Sequence, residues 1–189
     1  MTLDRCLECG FEYDLDTFRS AGSSIEEGAH QIARLLADPH ADLVPRRTAG
    51  RWSPLEYGCH VRDVLLVQRE RVLLARRQVR PDLAPMGRDD RVEHDGYSEQ
   101  VPIEVGRQLQ DAARLFANVL SRLGNRDWDR TVMYNYPEPA ERSLRWVAVH
   151  TLHEVRHHLR DMEQSAGGIS GSGSGGQTGA QRQAGRSSP

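Results

Sequence analysis

Four stretches of the chain carry apolar residues at three- and four-residue spacing, the pattern of helices that bury one face. The first, 24–37, reads SIEEGAHQIARLLA. Ser23 or Ser24 is suited to cap it, and Glu26 and Glu27 fall in the first turn, where the positive end of the helix dipole favours them. The second opens with WSPLE. Ser53 at the N-cap, Pro54 at the first helical position and Glu56 at the third make a capping box. This helix is expected to run to about residue 79, with Arg76, Arg77 and Arg80 at its negative end. The third, 102–123, stops at Gly124, and the fourth spans 143–164, ending before Gly167.

The intervals between them are polar. PDLAPMGRDDRVEHDGYSEQ joins the second helix to the third and reads as a loop. NRDWDRTVMYNYPEPAER joins the third to the fourth, and Pro137 and Pro139 exclude a helix there. Residues 166–189 are rich in Gly and Ser and carry nothing that builds a core, so a disordered tail is expected. With no convincing set of strands, the fold class expected is all-α, a four-helix bundle. It divides into an N-terminal CxxC segment (1–22), the bundle (23–165) and the tail (166–189).

Composition narrows the function classes. A net charge of -2 carries no basic face for nucleic acid. No apolar run is long enough to span a bilayer, and the N-terminus lacks a signal-like stretch, so a cytoplasmic protein with no membrane partner is expected. All 25 Lys+Arg positions are arginine, which removes lysine Schiff-base and P-loop chemistry. The three cysteines do not make a disulfide framework.

The fourth helix holds four of the chain's eight histidines, in HTLHEVRHHLRDM. Residues four apart share a helix face, which pairs His150 with Glu154, His153 with His157, and Glu154 with His158. A solvated polar face would account for Arg156 and Arg160. It would not account for Leu144, Trp146, Val147, Val149, Leu152, Val155, Leu159 and Met162, which require some of the histidines to point inward. His-Glu-Val-Arg-His also fits the HExxH pattern of zinc proteases. A third ligand downstream is missing, and no strand is expected to align a peptide, so the protease reading is disfavoured. A further ligand must come from upstream, and His60 of the second helix is the best placed, since facing helices of a bundle build metal sites in this way.

The tryptophan-serine helix start followed by a histidine, WSPLEYGCH, together with Glu154, His158 and Asp161 near the end of the fourth helix, resembles the DinB-like superfamily. That superfamily includes the mycothiol-dependent maleylpyruvate isomerases. The isomerase branch implies His60, Glu154 and His158 as ligands of a divalent metal, most simply zinc. Asp161 would then orient His158. Other DinB-like proteins use a three-histidine set, which implies His60, His153 and His157. The fit of Asp161 favours the first register. The resemblance implies a four-helix bundle with an open metal position, and a zinc-dependent transferase or isomerase that uses a low-molecular-weight thiol on a small molecule. A non-catalytic metal- or small-molecule-binding module, stress-related and with the CxxC as sensor, is the competing class. The expected partners are the small-molecule substrate or thiol, and a homodimer is compatible with either class.

Two stretches lie outside that pattern. Cys6 and Cys9, in CLECGFEYD, read as a reduced structural pair, a redox pair, or a partial metal clip completed by Cys59, a histidine or an acidic residue. Arg88, Asp89, Asp90, Arg91 and His94, with Tyr134, Asn135 and Tyr136, are candidates for a pocket mouth. Of these, Arg88, Arg91 and Tyr134 suit an anionic substrate or thiol, and an ordinary solvated loop is the alternative.

Overall fold

The structure, a computed structural model, describes residues 5–136 and 138–166; the greater part of the expected tail, from residue 167 on, lies outside the described residues. Among the described residues five α-helices are formed: α1 (Ala21–Leu36), α2 (Pro54–Arg77), α3 (Arg88–His94), α4 (Pro102–Ser121) and α5 (Leu144–Ala166). The long four are those expected from the apolar spacing.

α2 starts as its sequence dictates. The Ser53 side chain accepts from the Glu56 N–H at 3.2 Å, and Glu56 Oε2 accepts from the Ser53 N–H at 2.7 Å. Arg46 then closes a bidentate pair on the same carboxylate. α1 departs from expectation. It begins at Ala21, so Ser23 and Ser24 lie inside it, and the Ser23 hydroxyl donates to Ser20 O instead of capping. A 3-10 turn, Leu15–Ser20, leads into it and buries Phe18 against Trp128. The hydrophobic face therefore extends upstream of the serines, whose capping propensity loses to that burial.

α1 and α2 each pack against both α4 and α5 and barely touch one another, so they occupy opposite corners of the bundle. α1 comes close to α5 at Gly28, where a Cβ would stand 2.6 Å from Val155 Cγ1. This contact fixes the face of α5 that carries Val155 toward α1, leaving the histidine-bearing faces for other partners.

Two expectations are corrected. A three-stranded sheet is present, in the order β1 (Asp82–Leu83), β2 (Thr131–Asn135), β3 (Pro139–Ser143). β1 runs parallel to β2 and β3 antiparallel to it, with Tyr134 opposite Leu83 and Ala140. The prolines that exclude a helix do not exclude a hairpin: Pro139 sits at the first position of β3, where a missing N–H is tolerated. Val132 and Tyr134 alternate inward, and β2 is only five residues long, too short to stand out by periodicity. The loop between α2 and α4 also contains α3, started at Gly87 with φ of 65° and ended before Gly96. Val92 is its only buried residue, so no apolar period marks it. The hairpin runs directly into α5, whose start is capped by Ser143 Oγ accepting from the Trp146 N–H at 3.2 Å. Cap and hairpin together set the rotation of α5.

Candidate metal centre

His60 sits on the second turn of α2, counted from the capping box, and is 2% exposed. Its ring packs on Trp52 and meets the His158 ring of α5 edge to face, centroids 4.9 Å apart. His60 Nε2 lies 4.0 Å from Glu154 Oε2, and His158 Nε2 lies 3.7 Å from the same oxygen. Donors bound to one zinc ion at about 2.0–2.2 Å stand about 3–3.5 Å apart, so a small inward movement of the three would close a shell. The other nitrogen of His158, Nδ1, is 3.1 Å from Asp161 Oδ2. Asp161 takes the Nδ1–H, which leaves Nε2 turned to the centre. His60 Nδ1 is buried with no hydrogen-bond partner, an orphaned polar atom of the kind that a ligand site tolerates.

The electrostatics suit a cation. Burial and the neighbouring His158 push His60 down to about 3, so its ring is neutral and its lone pair is available. Burial also lowers His150, to about 4. Burial opposes charge on His158, yet its contacts with Asp161 and Glu154 carry it up to about 9, so a proton occupies the position that a cation would take. Burial likewise opposes the Glu154 carboxylate, but His153 and His158 hold it well below the usual carboxylate range.

A cavity of about 330 Å³ opens beside His60 and Glu154. Val64, Gln68 and Arg71 line it from α2, Met86 and Arg88 from the segment before and into α3, Tyr134 and Tyr136 from β2 and the turn after it, and His150 from α5. Tyr134 Oη accepts from Gln68 at 3.0 Å and from Arg71 at 3.1 Å, which fixes the polar wall. His158 faces a second, more polar cleft with Trp52, His157 and Asp161, so the three donors stand between two openings.

Of the residues expected at a pocket mouth, Arg88, Asp89, Asp90, Tyr134 and Tyr136 line the cavity. Arg91, His94 and Asn135 do not. Arg91 braces the loop instead, with Nη1 3.3 Å from Asp63 Oδ2 and Nε donating to Met86 O at 3.0 Å. Gln68, Arg71 and His150 were not expected there. The signal was available: Gln68 and Arg71 lie about two and three turns beyond His60 on one stripe of α2, and His150 is one turn before Glu154.

The triple His60, His153, His157 does not converge. His153 and His157 turn instead to the N-terminal segment, where they group with Cys6 and Cys9. Neither lines the cavity that holds Glu154, and this weighs against the protease arrangement. The supposed lack of strands does not, since β3 is an edge strand. Cys59 does not join the other cysteines: it is buried with its Sγ 3.6 Å from Gln100 Oε1, and burial pushes its thiol up to about 12. Two further donor groups, His150–His153–Glu154 and His157–His158–Asp161, bridge the two faces of α5. Among the described residues no helix is long and apolar enough to cross a membrane.

Comparison with known proteins adds the following. The family model of the DinB superfamily matches residues 25–162. No curated protein sequence matches significantly. Among solved structures the chain is similar to YfiT from Bacillus subtilis, described as a probable metal-dependent hydrolase with an unusual four-helix bundle topology. The TM-score is 0.66 at 14% identity, covering 86% of this chain and 93% of that one. At that identity the likeness is one of fold.

Proposed function

The chain belongs to the DinB superfamily, and from that premise we propose that it is a metal-dependent enzyme acting on a small molecule, with His60, Glu154 and His158 holding a divalent ion. Zinc suits two imidazoles and one carboxylate. The observation that carries the reading is the convergence of these three donors, from two helices, at the edge of a cavity large enough for a small substrate. A zinc ion there would supply Lewis acidity, lowering the pKa of a thiol or water in its remaining position.

The chain's own residues divide the rest of the work. Asp161 fixes the His158 tautomer through Nδ1. Gln68 and Arg71 hold the Tyr134 hydroxyl in the cavity wall. Arg88, whose guanidinium lies near the Trp52 and Tyr136 rings and whose side chain is about half exposed, offers its charge to an anionic group entering the cavity. The favoured reaction class is transfer or isomerisation with a low-molecular-weight thiol as nucleophile. Hydrolysis, with water in that position, is the second reading, supported by the description of the similar fold.

The two separate in one titration. The full-length protein is loaded with cobalt(II), and a panel of small thiols that includes mycothiol is added. An increment in sulfur-to-cobalt charge transfer over the starting spectrum is expected. A spectrum unmoved by every thiol, together with metal-dependent cleavage of ester or amide substrates, would replace transfer by hydrolysis.

A further inference from the structure

We propose that Cys6, Cys9, His153 and His157 form a second, closed zinc site that clips the N-terminal hairpin, in which Arg5 bridges antiparallel to Glu12, onto α5. The ligand atoms of all four lie within 4.8 Å of one another. Cys6 Sγ is 3.8 Å from His157 Nδ1; sulfur and nitrogen on a tetrahedral zinc stand about 3.6 Å apart, from bonds of about 2.3 and 2.0–2.1 Å. The sequence spacing, Cys-x2-Cys with His-x3-His on a helix, is that of two-cysteine, two-histidine zinc sites.

The backbone around the cysteines is shaped for this. The Gly10 N–H donates to Cys6 O at 2.9 Å and the Cys6 N–H to Phe11 O at 2.8 Å, folding the segment into a tight turn that Gly10 completes at φ 76°.

The histidines supply the second, independent observation. His153 is buried, and neither ring nitrogen has a hydrogen-bond partner; the nearest carboxylate oxygen, of Glu154, is 3.4 Å from Nδ1 without hydrogen-bond geometry. A buried imidazole that makes no hydrogen bond is costly unless it binds something. His157 Nε2 lies 3.4 Å from both Glu8 Oε2 and Asp161 Oδ2, leaving Nδ1 for the cysteine side, as in a carboxylate–histidine–zinc arrangement.

Four protein donors fill a tetrahedral shell, so this site is structural. What it holds in place is the segment that follows the hairpin. The Tyr13 ring stacks over Trp146, and its hydroxyl is 3.1 Å from His150 Nδ1. His150 lines the cavity beside Glu154, so the clip supports one wall of the open centre.

The test uses the full-length, reduced protein loaded with cobalt(II). The expected spectrum has intense sulfur-to-cobalt charge transfer before any external thiol is added. That band is expected to survive in Cys59→Ala and in His60→Ala, and to vanish in the Cys6→Ser, Cys9→Ser double variant with the loss of one ion per chain. The open site contains no thiolate, so the band reads the clip alone even if His60, Glu154 and His158 hold nothing. Should the double variant not fold, wild-type alkylation decides: Cys6 and Cys9 are expected to resist iodoacetamide with zinc bound and to react after chelation. Cobalt uptake without a thiolate band, or equal alkylation with and without zinc, overturns the proposal.

Discussion

His153 and His157 stand one residue from Glu154 and His158 on the same helix, yet the two pairs meet different chemistry. Glu154 and His158 face α2 and sit beside a cavity, with a carboxylate and imidazoles as donors. His153 and His157 face a short N-terminal hairpin that brings two thiols. Adjacent helix positions are separated by about 100° of rotation, enough to give each pair a separate neighbour. A helix sets only the directions in which donors point. The segment packed against each direction decides whether the ligand shell closes, with soft sulfur completing it, or stays open for a substrate.

Single substitutions offer the harshest way to break that comparison. His60→Ala, Glu154→Ala and His158→Ala are each expected to weaken metal binding at the open face by 100-fold or more, by order of magnitude, while the cobalt–thiolate band persists. His153→Ala and His157→Ala are expected to do the reverse. Metal stoichiometry and the cobalt spectrum of each purified variant check both halves. If His153→Ala empties the open face, the three-histidine register returns and the division between faces is wrong.

Asp161 is the residue that the faces share. Its Oδ2 is 3.1 Å from His158 Nδ1 and 3.4 Å from His157 Nε2. Removing an outer partner of a metal-bound histidine costs about 10- to 100-fold in affinity. Asp161→Ala is therefore expected to weaken the open face by about tenfold and the closed one by less, since His157 retains Glu8. Competition with a chromophoric chelator measures both. An effect confined to one face would make the two centres independent.

Protons sharpen the contrast on the open face. In the metal-free protein His158 is raised from its ordinary value to about 9. A histidine so raised contributes stability that is fully present below its unfolded value, about 6.5, and is lost as pH climbs through 9. The thermal midpoint of the chelated, reduced protein is expected to fall across that window, and His158→Ala is expected to flatten the fall. With metal bound the proton is displaced and the decline disappears. Calorimetric titration with zinc near pH 7 should accordingly release a proton from this site, visible as a dependence of the heat on the buffer's ionisation enthalpy.

How much of this was legible in the sequence depended on whether a feature is local. The capping box at Ser53 and Glu56, and hence the placement of His60, rests on residues three apart and was readable. The donors were readable only as two rival registers, and the preference for His60, Glu154 and His158 over His60, His153 and His157 came from the resemblance to the DinB-like superfamily. The sheet was not readable: β1 is two residues long and gains its meaning only by pairing with β2, about fifty residues away. Arg91 was assigned to the pocket because it sits among charged loop residues, but its partner Asp63 lies on α2, and that pairing is fixed by tertiary structure. The cysteine pair was visible as half a site. Its other half could not be chosen, because His153 and His157 were equally available to His60 until the hairpin was seen to lie on α5.

The smallest expected effect tests whether the closed face supports the open one. Tyr13 is the link: it follows the cysteine turn, stacks on Trp146, and reaches His150 with its hydroxyl. Tyr13→Phe keeps the stacking and removes only that hydrogen bond, whose net contribution is about 0.5–1.5 kcal/mol. The thiolate band should be unchanged, because no clip donor is touched. The open face should lose about two- to threefold in metal affinity, the part of that energy expected to reach Glu154 through a repositioned His150. Affinity at wild-type level in Tyr13→Phe, alongside weakened open-face binding in the Cys6→Ser, Cys9→Ser variant, would route the support through His157 and Asp161 instead. The hairpin would then brace the centre from the far end of the helix, through the carboxylate that both faces share.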